Sequence, residues 1–166
     1  MVRTFLCATA LGLCTLGAMA ANSERTYVAP EGADLKALPP YSSGIMAGGT
    51  FYVAGTLGID PATGQVATDT EKEAHMVIER VQDTLQKAGL TLDDLVSVTI
   101  YCTDLSLYDQ FNGIYRGYFH GNFPTRAFIG AGKLVRNAHY EIQAIAVKSP
   151  GPAVKKIALQ PSSSFL

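Results

Sequence analysis

The strongest constraint on the fold is an apolar stripe at helical spacing that lies between segments rich in strand-forming residues. The stripe consists of Ala74, Val77, Ile78, Val81, Leu85 and Ala88. Spacings of three and four residues place its members on one side of an α-helix. Thr68 or Asp69 can cap the start of this helix, and Gly89 can cap its end. The pattern predicts one long amphipathic helix that packs against a sheet.

Strands are predicted on both sides of this helix, and a second helix follows. A hairpin is predicted around Gly48-Gly49. The predicted strands are Ile45–Ala47, Phe51–Ala54, Val96–Cys102, Thr125–Ile129 and His139–Val147, and the second helix is Leu107–Phe119, capped by Asp104 or Ser106 and ended by Gly121. The polar segment before the hairpin, Asn22–Pro40, is predicted to be irregular. Because helices alternate with strands, we expect both helices on one face of a mixed sheet, and the other apolar face then requires a partner subunit.

The first 20 residues have the features of a secretory signal peptide. Arg3 precedes the apolar stretch Phe5–Gly17, which is too short to span a bilayer, and Ala18-Met19-Ala20 has the small residues that signal peptidase requires. We therefore predict a signal peptide at 1–20, one domain at 21–149 and a C-terminal extension at 150–166. The expected location is the periplasm, with no membrane association after cleavage.

Charge and cysteine content narrow the possible functions. The net charge is −1 and becomes −2 when the signal peptide, with Arg3 as its only charged residue, is removed. An acidic chain without a basic stripe is not expected to bind nucleic acid. Cys102 is the one cysteine that remains, so no internal disulfide is expected. Its position in an apolar strand predicts an unreactive core thiol.

Two charged residues occur in the two closing strands, where apolar residues predominate. Arg126 shares its predicted strand face with Phe128, and Glu141 shares its face with Ile145 and Val147. Buried charges are costly unless they are paired or used. One interpretation is an Arg126–Glu141 salt bridge at the rim of the sheet. The other is the wall of a binding site, which is mostly apolar with a few polar groups.

The histidines do not indicate a metal site. His75, His120 and His139 are not grouped with cysteines or carboxylates at a ligand spacing. His139 comes two residues before Glu141, so it either influences the pKa of that glutamate or occupies the entrance of the strand. His75 is expected at the surface or edge of the first helix.

Several consecutive blocks of the chain resemble the RidA (YjgF) family. They are "GTFYVAGTLGIDPATGQV", "GLTLDDLVSVTIYCTDL", "FNGIYRGYF" and "FPTRAFIGAGKLVRNAHYEIQAIAV". The resemblance extends from Tyr41 to Lys148. Its most specific part is Pro124-Thr125-Arg126 followed by a glutamate, Glu141, within "YEIQAIA".

The resemblance implies a chorismate-mutase-like α+β protomer in a homotrimer, with ligand clefts between subunits. It implies hydrolysis of reactive enamines and imines, such as 2-aminoacrylate, to 2-keto acids and ammonia without a cofactor. Arg126 would bind the substrate carboxylate and Glu141 would position the attacking water. Tyr41 and the backbone around Gly55 would line the cleft. Asn112 matches a polar family position with a supporting role.

Two positions depart from the family pattern. Ala54 stands where the family usually has a serine that contacts the ligand, and Phe128 stands where it has a small residue. Both changes make the cleft less polar or narrower. The alternative to an imine deaminase is therefore a non-catalytic trimer of the same fold that binds small carboxylates. Endoribonuclease activity, attributed to some relatives, is disfavoured by the acidic chain.

Overall fold

The computed structural model describes residues 24–30 and 39–148. One six-stranded sheet carries two helices. The strands are β1 Thr26–Val28, β2 Gly44–Ala47, β3 Thr50–Leu57, β4 Leu95–Cys102, β5 Thr125–Gly130 and β6 Tyr140–Val147, and the helices are α1 Thr70–Lys87 and α2 Tyr108–Arg116. The strand order is β1-β2-β3-β6-β4-β5. Only β4 and β5 are parallel among these neighbours, so the sheet is mixed, as predicted.

The hairpin between β2 and β3 forms where the sequence placed it. Gly48 and Gly49 connect the strands with φ angles of 56° and 83°, a region that glycine enters without steric cost. The strand β3 extends three residues beyond the predicted end at Ala54. Its register against β6 is interrupted by a bulge between Val53 and Thr56. This bulge becomes important at the candidate site because it contains Gly55.

Helix α1 confirms the prediction from the apolar stripe. The Asp69 side chain accepts a hydrogen bond from the backbone N–H of Lys72 and caps the first turn. After the last turn Gly89 has a φ of 71°, which places it in the left-handed conformation typical of a helix end. The stripe is buried against the sheet. Burial of this face, rather than helix propensity alone, stabilises the helix.

Helix α2 is shorter than predicted at its C-terminal end. Asp104 caps a single 3₁₀ turn, Leu105–Leu107, and the α-helix then runs from Tyr108 to Arg116. From Gly117 onward the backbone N–H groups bond to carbonyls three residues earlier. The α-helix therefore ends five residues before Gly121, which was expected to end it, and the chain continues as a tighter turn to Phe119.

The two faces of the sheet have different surroundings. Both helices cover one face, as predicted, and the core lies between them and the sheet. The opposite face, here called the open face, carries Tyr52, Ile129 and Val147, each at least 41% exposed. Large apolar groups at this exposure are typical of a surface that binds another protein.

The first strand was missed by the sequence analysis. Thr26–Val28 lies in the segment predicted to be irregular, yet it pairs antiparallel with β2 at the edge of the sheet. Three residues are too few to show the alternation by which strands are recognised. The predicted signal peptide and the C-terminal extension lie outside the described residues. Within the described part of the chain, neither helix is long and apolar enough to span a membrane.

Candidate functional site

Arg126 lies in a cavity of about 220 Å³ between β5 and α2. The parallel register of β4 and β5 pairs Arg126 with Val98, which is buried under the helices. Paired residues of neighbouring strands point to the same face, so the Arg126 side chain points toward α2. There its Nη2 donates a 2.6 Å hydrogen bond to Oδ1 of Asn112. The predicted supporting role of Asn112 is consistent with this contact.

Three aromatic rings surround the guanidinium of Arg126. Its Cζ atom lies 4.9 Å from the ring centroid of Tyr115, 5.8 Å from that of Phe128 and 5.9 Å from that of Tyr108. Cation–π attraction at these distances favours the charged group without taking up all of its N–H donors. The arginine is thus held in place, and donors remain for an anion in the cavity.

The ring of Tyr115, on α2, is buried in the core. Its hydroxyl, however, has no hydrogen-bond partner within residues 24–30 and 39–148, and the residue lines the Arg126 cavity. Burial raises the pKa of Tyr115 to about 12, against a smaller lowering by the charge of Arg126. A buried hydroxyl without a partner is unfavourable, and a ligand in the cavity would remove that cost.

Glu141 lies elsewhere, on β6, with its side chain against the backbone of Gly55. Any Cβ atom at position 55 would collide with the Glu141 carboxylate. Gly55 therefore leaves room for the Glu141 carboxylate in its present position. It is not needed for a left-handed backbone, since its φ is not positive. In the described part of the chain Glu141 makes no hydrogen bond or ion pair, so its carboxylate is available.

A second cavity, of about 190 Å³, lies beside the bulge and includes three residues that the sequence analysis named: Tyr41, Ala54 and Gly55. Arg136 also lines it and was not anticipated. This residue has a φ of 58°, and its Nη1 donates a 2.8 Å hydrogen bond to the carbonyl of Gly64. A left-handed non-glycine residue gives no signal in a single sequence.

Arg126 and Glu141 point to opposite faces of the sheet. On β4, Arg126 is level with Val98 and Glu141 is level with Tyr101. Residues three positions apart on a strand have opposite directions, so only Arg126 lies on the helix side. The Arg126–Glu141 salt bridge within one chain is therefore wrong. The two groups belong to separate half-sites, here called the arginine half (the cavity of Arg126) and the glutamate half (Glu141, Gly55 and the adjoining cavity of Tyr41, which Gly55 lines and Glu141 does not).

Phe128 belongs to the arginine half but does not line its cavity. Its ring packs edge-on against Tyr108 and Phe111, with centroids 5.0 and 5.6 Å apart. The Phe128 ring therefore packs against both these aromatic side chains and the guanidinium of Arg126, and it does not form part of the cavity surface. Ala54 lines the cavity of the glutamate half with a methyl group, so position 54 supplies no hydroxyl, although Ser43 and Thr56 line the same cavity.

A buried glutamate fixes the start of β6 and was not identified from the sequence. Glu73 of α1 is fully buried, and its Oε1 accepts hydrogen bonds from the backbone N–H groups of His139 and Tyr140 at 2.7 and 3.0 Å. Its Oε2 lies 2.7 Å from Nδ1 of His139. His139 therefore occupies the strand entrance, the second of the two interpretations offered for it. Glu73 anchors the strand one residue before Glu141.

Two other predicted residues are placed as expected. Cys102 is fully buried, and burial raises its pKa, which agrees with an unreactive core thiol. His75 lies at the edge of α1, and its Nδ1 is 2.7 Å from the hydroxyl of Tyr118.

Comparison with known proteins identifies relatives over most of the chain. A model of the endoribonuclease L-PSP family matches residues 31–148. The chain is 36% identical over 114 residues to a RutC family protein from Pyrococcus abyssi, which covers 68% of this chain and 90% of that protein. It is 32% identical over 115 residues to human 2-iminobutanoate/2-iminopropanoate deaminase, covering 69% of this chain and 84% of the human protein.

Solved structures show the same fold. YyfA from Yersinia pestis, described as a protein of the conserved Rid family, superposes with a TM-score of 0.69 at 34% identity. The match covers 75% of this chain and 100% of YyfA. TdcF from E. coli, solved with bound serine, has a TM-score of 0.65 at 30% identity, over 68% of this chain and 91% of TdcF. These matches confirm the predicted α+β fold. The chain belongs to the endoribonuclease L-PSP family, which is the RidA (YjgF) family that its motifs resembled.

Proposed function

We propose that this protein hydrolyses imines and enamines of 2-amino acids to 2-keto acids and ammonia, at sites formed where the arginine half of one copy meets the glutamate half of another. The observation that carries the proposal is the pair of half-sites on opposite faces, each incomplete by itself. The human relative named 2-iminobutanoate/2-iminopropanoate deaminase supports the reaction type.

Arg126 would bind the substrate carboxylate. Its guanidinium fork matches the two oxygens of a carboxylate, and Asn112 and the aromatic rings hold the fork in place before the substrate arrives. The Tyr115 hydroxyl stays protonated at neutral pH, since its pKa is about 12. It would donate a further hydrogen bond to the same carboxylate.

Glu141 would act as the general base. As water attacks C2 of the imine, the carboxylate takes a proton from the water. The proton then passes to the nitrogen and gives a carbinolamine; the hydroxyl proton is transferred to the nitrogen in turn, the C–N bond breaks and ammonia leaves as the C=O bond forms. Water supplies the oxygen, so the reaction needs no oxidant and no cofactor. An enamine first gains a proton at C3 and loses one from its nitrogen to become the imine.

A ring of identical subunits would bring the two halves together. A contact between two different patches of the same chain closes into a ring when its rotation is a simple fraction of a turn, and a trimer is one such ring. The open face, with the exposed side chains of Tyr52, Ile129 and Val147, supplies an apolar surface for this contact. Each trimer would then contain three composite sites.

The direct test measures ammonia release from 2-iminopropanoate generated in the assay by an amino-acid oxidase. Wild-type protein is expected to accelerate the release, and Arg126→Ala is expected to lose most of the acceleration. Lys133→Ala, the same truncation at an exposed cationic side chain in the loop after β5, is the control. Equal rates for wild type and Arg126→Ala would overturn the assignment.

A non-catalytic carboxylate-binding trimer is the second candidate. The observation that favours it is Ala54, which leaves the glutamate half without the hydroxyl that the family usually has there. Binding of pyruvate in a calorimeter, together with no ammonia release from any imine, would establish this function. Incubation with a structured RNA tests the endoribonuclease activity that the family name describes. Cleavage of the RNA would support that activity.

We further propose that the protein is exported and acts in the periplasm. The support is the sequence of residues 1–20, which has the charged start, apolar centre and small-residue cleavage motif of a signal peptide. Mass spectrometry of protein from the periplasmic fraction is expected to find an N-terminus at Ala21. A chain that stays in the cytoplasm with Met1 intact would contradict export.

A further inference from the structure

A second arginine lines the cavity that contains Arg126. Arg116 is the last residue of α2 and comes one helical turn after Asn112, the residue that holds Arg126. With Tyr108 one turn earlier, three residues at a spacing of four present a ring, an amide and a guanidinium on one side of α2. This alignment explains why Arg116 reaches the same cavity.

Arg116 has no anionic partner in the part of the chain that the structure describes. Its Cζ atom lies 5.9 Å from the ring centroid of Phe123, so the planar guanidinium rests on an aromatic face that does not neutralise its charge. The cavity is lined by Tyr108, Asn112, Tyr115, Arg116, Phe123, Pro124 and Arg126, and thus by two guanidinium groups and no carboxylate.

Two positive charges in a cavity of about 220 Å³ exceed what one carboxylate requires. Arg116 is exposed, so solvent screens part of the repulsion between the two cations that line the cavity. A ligand with two anionic groups would pair with both charges and relieve the rest. Most of the remaining lining is formed by rings, which suit the methylene carbons between two carboxylates. The charge pattern therefore favours a small dicarboxylate over a monocarboxylate.

We infer that the site takes 2-imino dicarboxylates, the imines of acidic amino acids. The 2-carboxylate would bind Arg126 and the distal carboxylate Arg116. The inference rests on the proposed function, since it names the substrate class of the same site. The reaction is unchanged: C=N is replaced by C=O, water supplies the oxygen and ammonia leaves, which gives a 2-keto dicarboxylate.

Turnover is tested with two imines of equal length, 2-iminoglutarate and 2-iminopentanoate, generated in the assay by oxidation of glutamate and norvaline. For Arg116→Gln, we expect KM for 2-iminoglutarate to rise about tenfold or more, as for loss of a charge-assisted hydrogen bond, with no change for 2-iminopentanoate. Arg116→Lys is expected to keep most of the preference because it keeps the charge. If Arg116→Gln had the same KM for 2-iminoglutarate as wild type, the inference would be overturned.

Lys87→Gln is the matched control. Lys87 and Arg116 are the basic residues in the last turns of α1 and α2, so each substitution removes a favourable charge at a helix C-terminus. Only Arg116 lines the Arg126 cavity. An equal loss of 2-iminoglutarate turnover in the two variants would assign the effect to the helix and contradict a role of Arg116 in binding.

A binding experiment separates this inference from the proposed reaction. We expect wild-type protein to bind 2-oxoglutarate about tenfold more tightly than 2-oxopentanoate in a calorimeter, and Arg116→Gln to bind the two equally. If that result appears but no imine is hydrolysed, the dicarboxylate site stands and the hydrolase fails. If both imines are hydrolysed while wild type binds the two keto acids equally, the hydrolase stands and the dicarboxylate inference fails.

Discussion

The two half-sites differ in how far one chain completes them. In the arginine half, Arg126 has a hydrogen-bond partner, three rings around it and a formed cavity. In the glutamate half, Glu141 lies against a glycine with no polar partner in the described residues. In the arginine half a single chain already holds the guanidinium in place beside a cavity. In the glutamate half, the Glu141 carboxylate has no partner among the described residues. On our proposal it acts only when a neighbouring copy brings the substrate to it.

This difference separates binding from chemistry. Substitutions in the arginine half should act mainly on KM, since they weaken binding of the carboxylate in the ground state and the transition state alike. Substitutions in the glutamate half should act mainly on kcat, since proton transfer occurs only in the transition state.

The largest effect is expected for Glu141→Gln. Loss of a general base lowers kcat by roughly 10²- to 10⁴-fold. KM should change little, because the carboxylate of the substrate is bound by the other half. Steady-state ammonia release measures both constants. A variant with normal kcat would show that another group takes the proton from water.

Arg126→Lys should have the next largest effect. A lysine keeps the charge but loses the bidentate fork and the bond to Asn112, so KM is expected to rise about tenfold or more while kcat changes less. If Arg126→Lys had an unchanged KM but a reduced kcat, the arginine half would act in the chemical step and not in binding, which would contradict the proposed division.

Gly55→Ala tests the close approach at the bulge. The new Cβ would displace the Glu141 carboxylate, and a base moved by about 1 Å is expected to lower kcat by roughly 10²-fold. Gly113→Ala is the control. It lies in α2 with open space around its Cα, and there alanine should stabilise the fold by about 0.5–1 kcal/mol. Equal activity of both variants would show that Glu141 does not need its present position.

Tyr115→Phe should have the smallest effect on activity, and it should raise KM without lowering the free energy of unfolding. At neutral pH the free energy of unfolding should stay the same or rise, because the change removes a buried hydroxyl without a partner. KM should rise about threefold to tenfold if the hydroxyl donates to the substrate, as for one lost hydrogen bond. A large loss of stability would instead show that the hydroxyl is bonded within the fold.

Alkaline pH sharpens the same prediction. Burial raises the pKa of Tyr115 from 10 in the unfolded chain to about 12, so the folded state holds this proton more tightly. Its contribution to stability is complete below pH 10 and is lost as pH rises toward 12. Denaturant unfolding between pH 9 and 12 should therefore show a smaller loss of stability for Tyr115→Phe than for wild type. Identical curves would contradict the raised pKa.

Local signals predicted much of this fold. The stripe of α1, the Asp69 cap and the Gly48-Gly49 hairpin depend on residues close together in sequence, and each is confirmed. The sequence also identified Arg126 and Glu141 as unusual charges. It did not show that they face opposite sides, because that depends on how β4 pairs with β5 and β6. Register between distant strands leaves no mark in a single sequence.

The missed residues have a similar explanation. A glutamate beside an apolar stripe normally lies in solvent, and Glu73 is buried only because the backbone of β6 supplies hydrogen bonds from more than 60 residues away. Arg116 was not singled out, because its relation to Arg126 depends on the packing of α2 on β5.

The most direct test of the composite site mixes two inactive variants. Arg126→Ala and Glu141→Gln are unfolded together in equal amounts and refolded, so that their subunits combine at random. In a ring of subunits, about a quarter of the sites would combine an intact Arg126 with an intact Glu141 from a neighbour. At a substrate concentration well below the KM of Arg126→Ala, we predict recovery of about a quarter of wild-type ammonia release, with only residual release when each variant is refolded alone. No recovery from a mixture shown to contain hybrid assemblies would contradict a site shared between two copies.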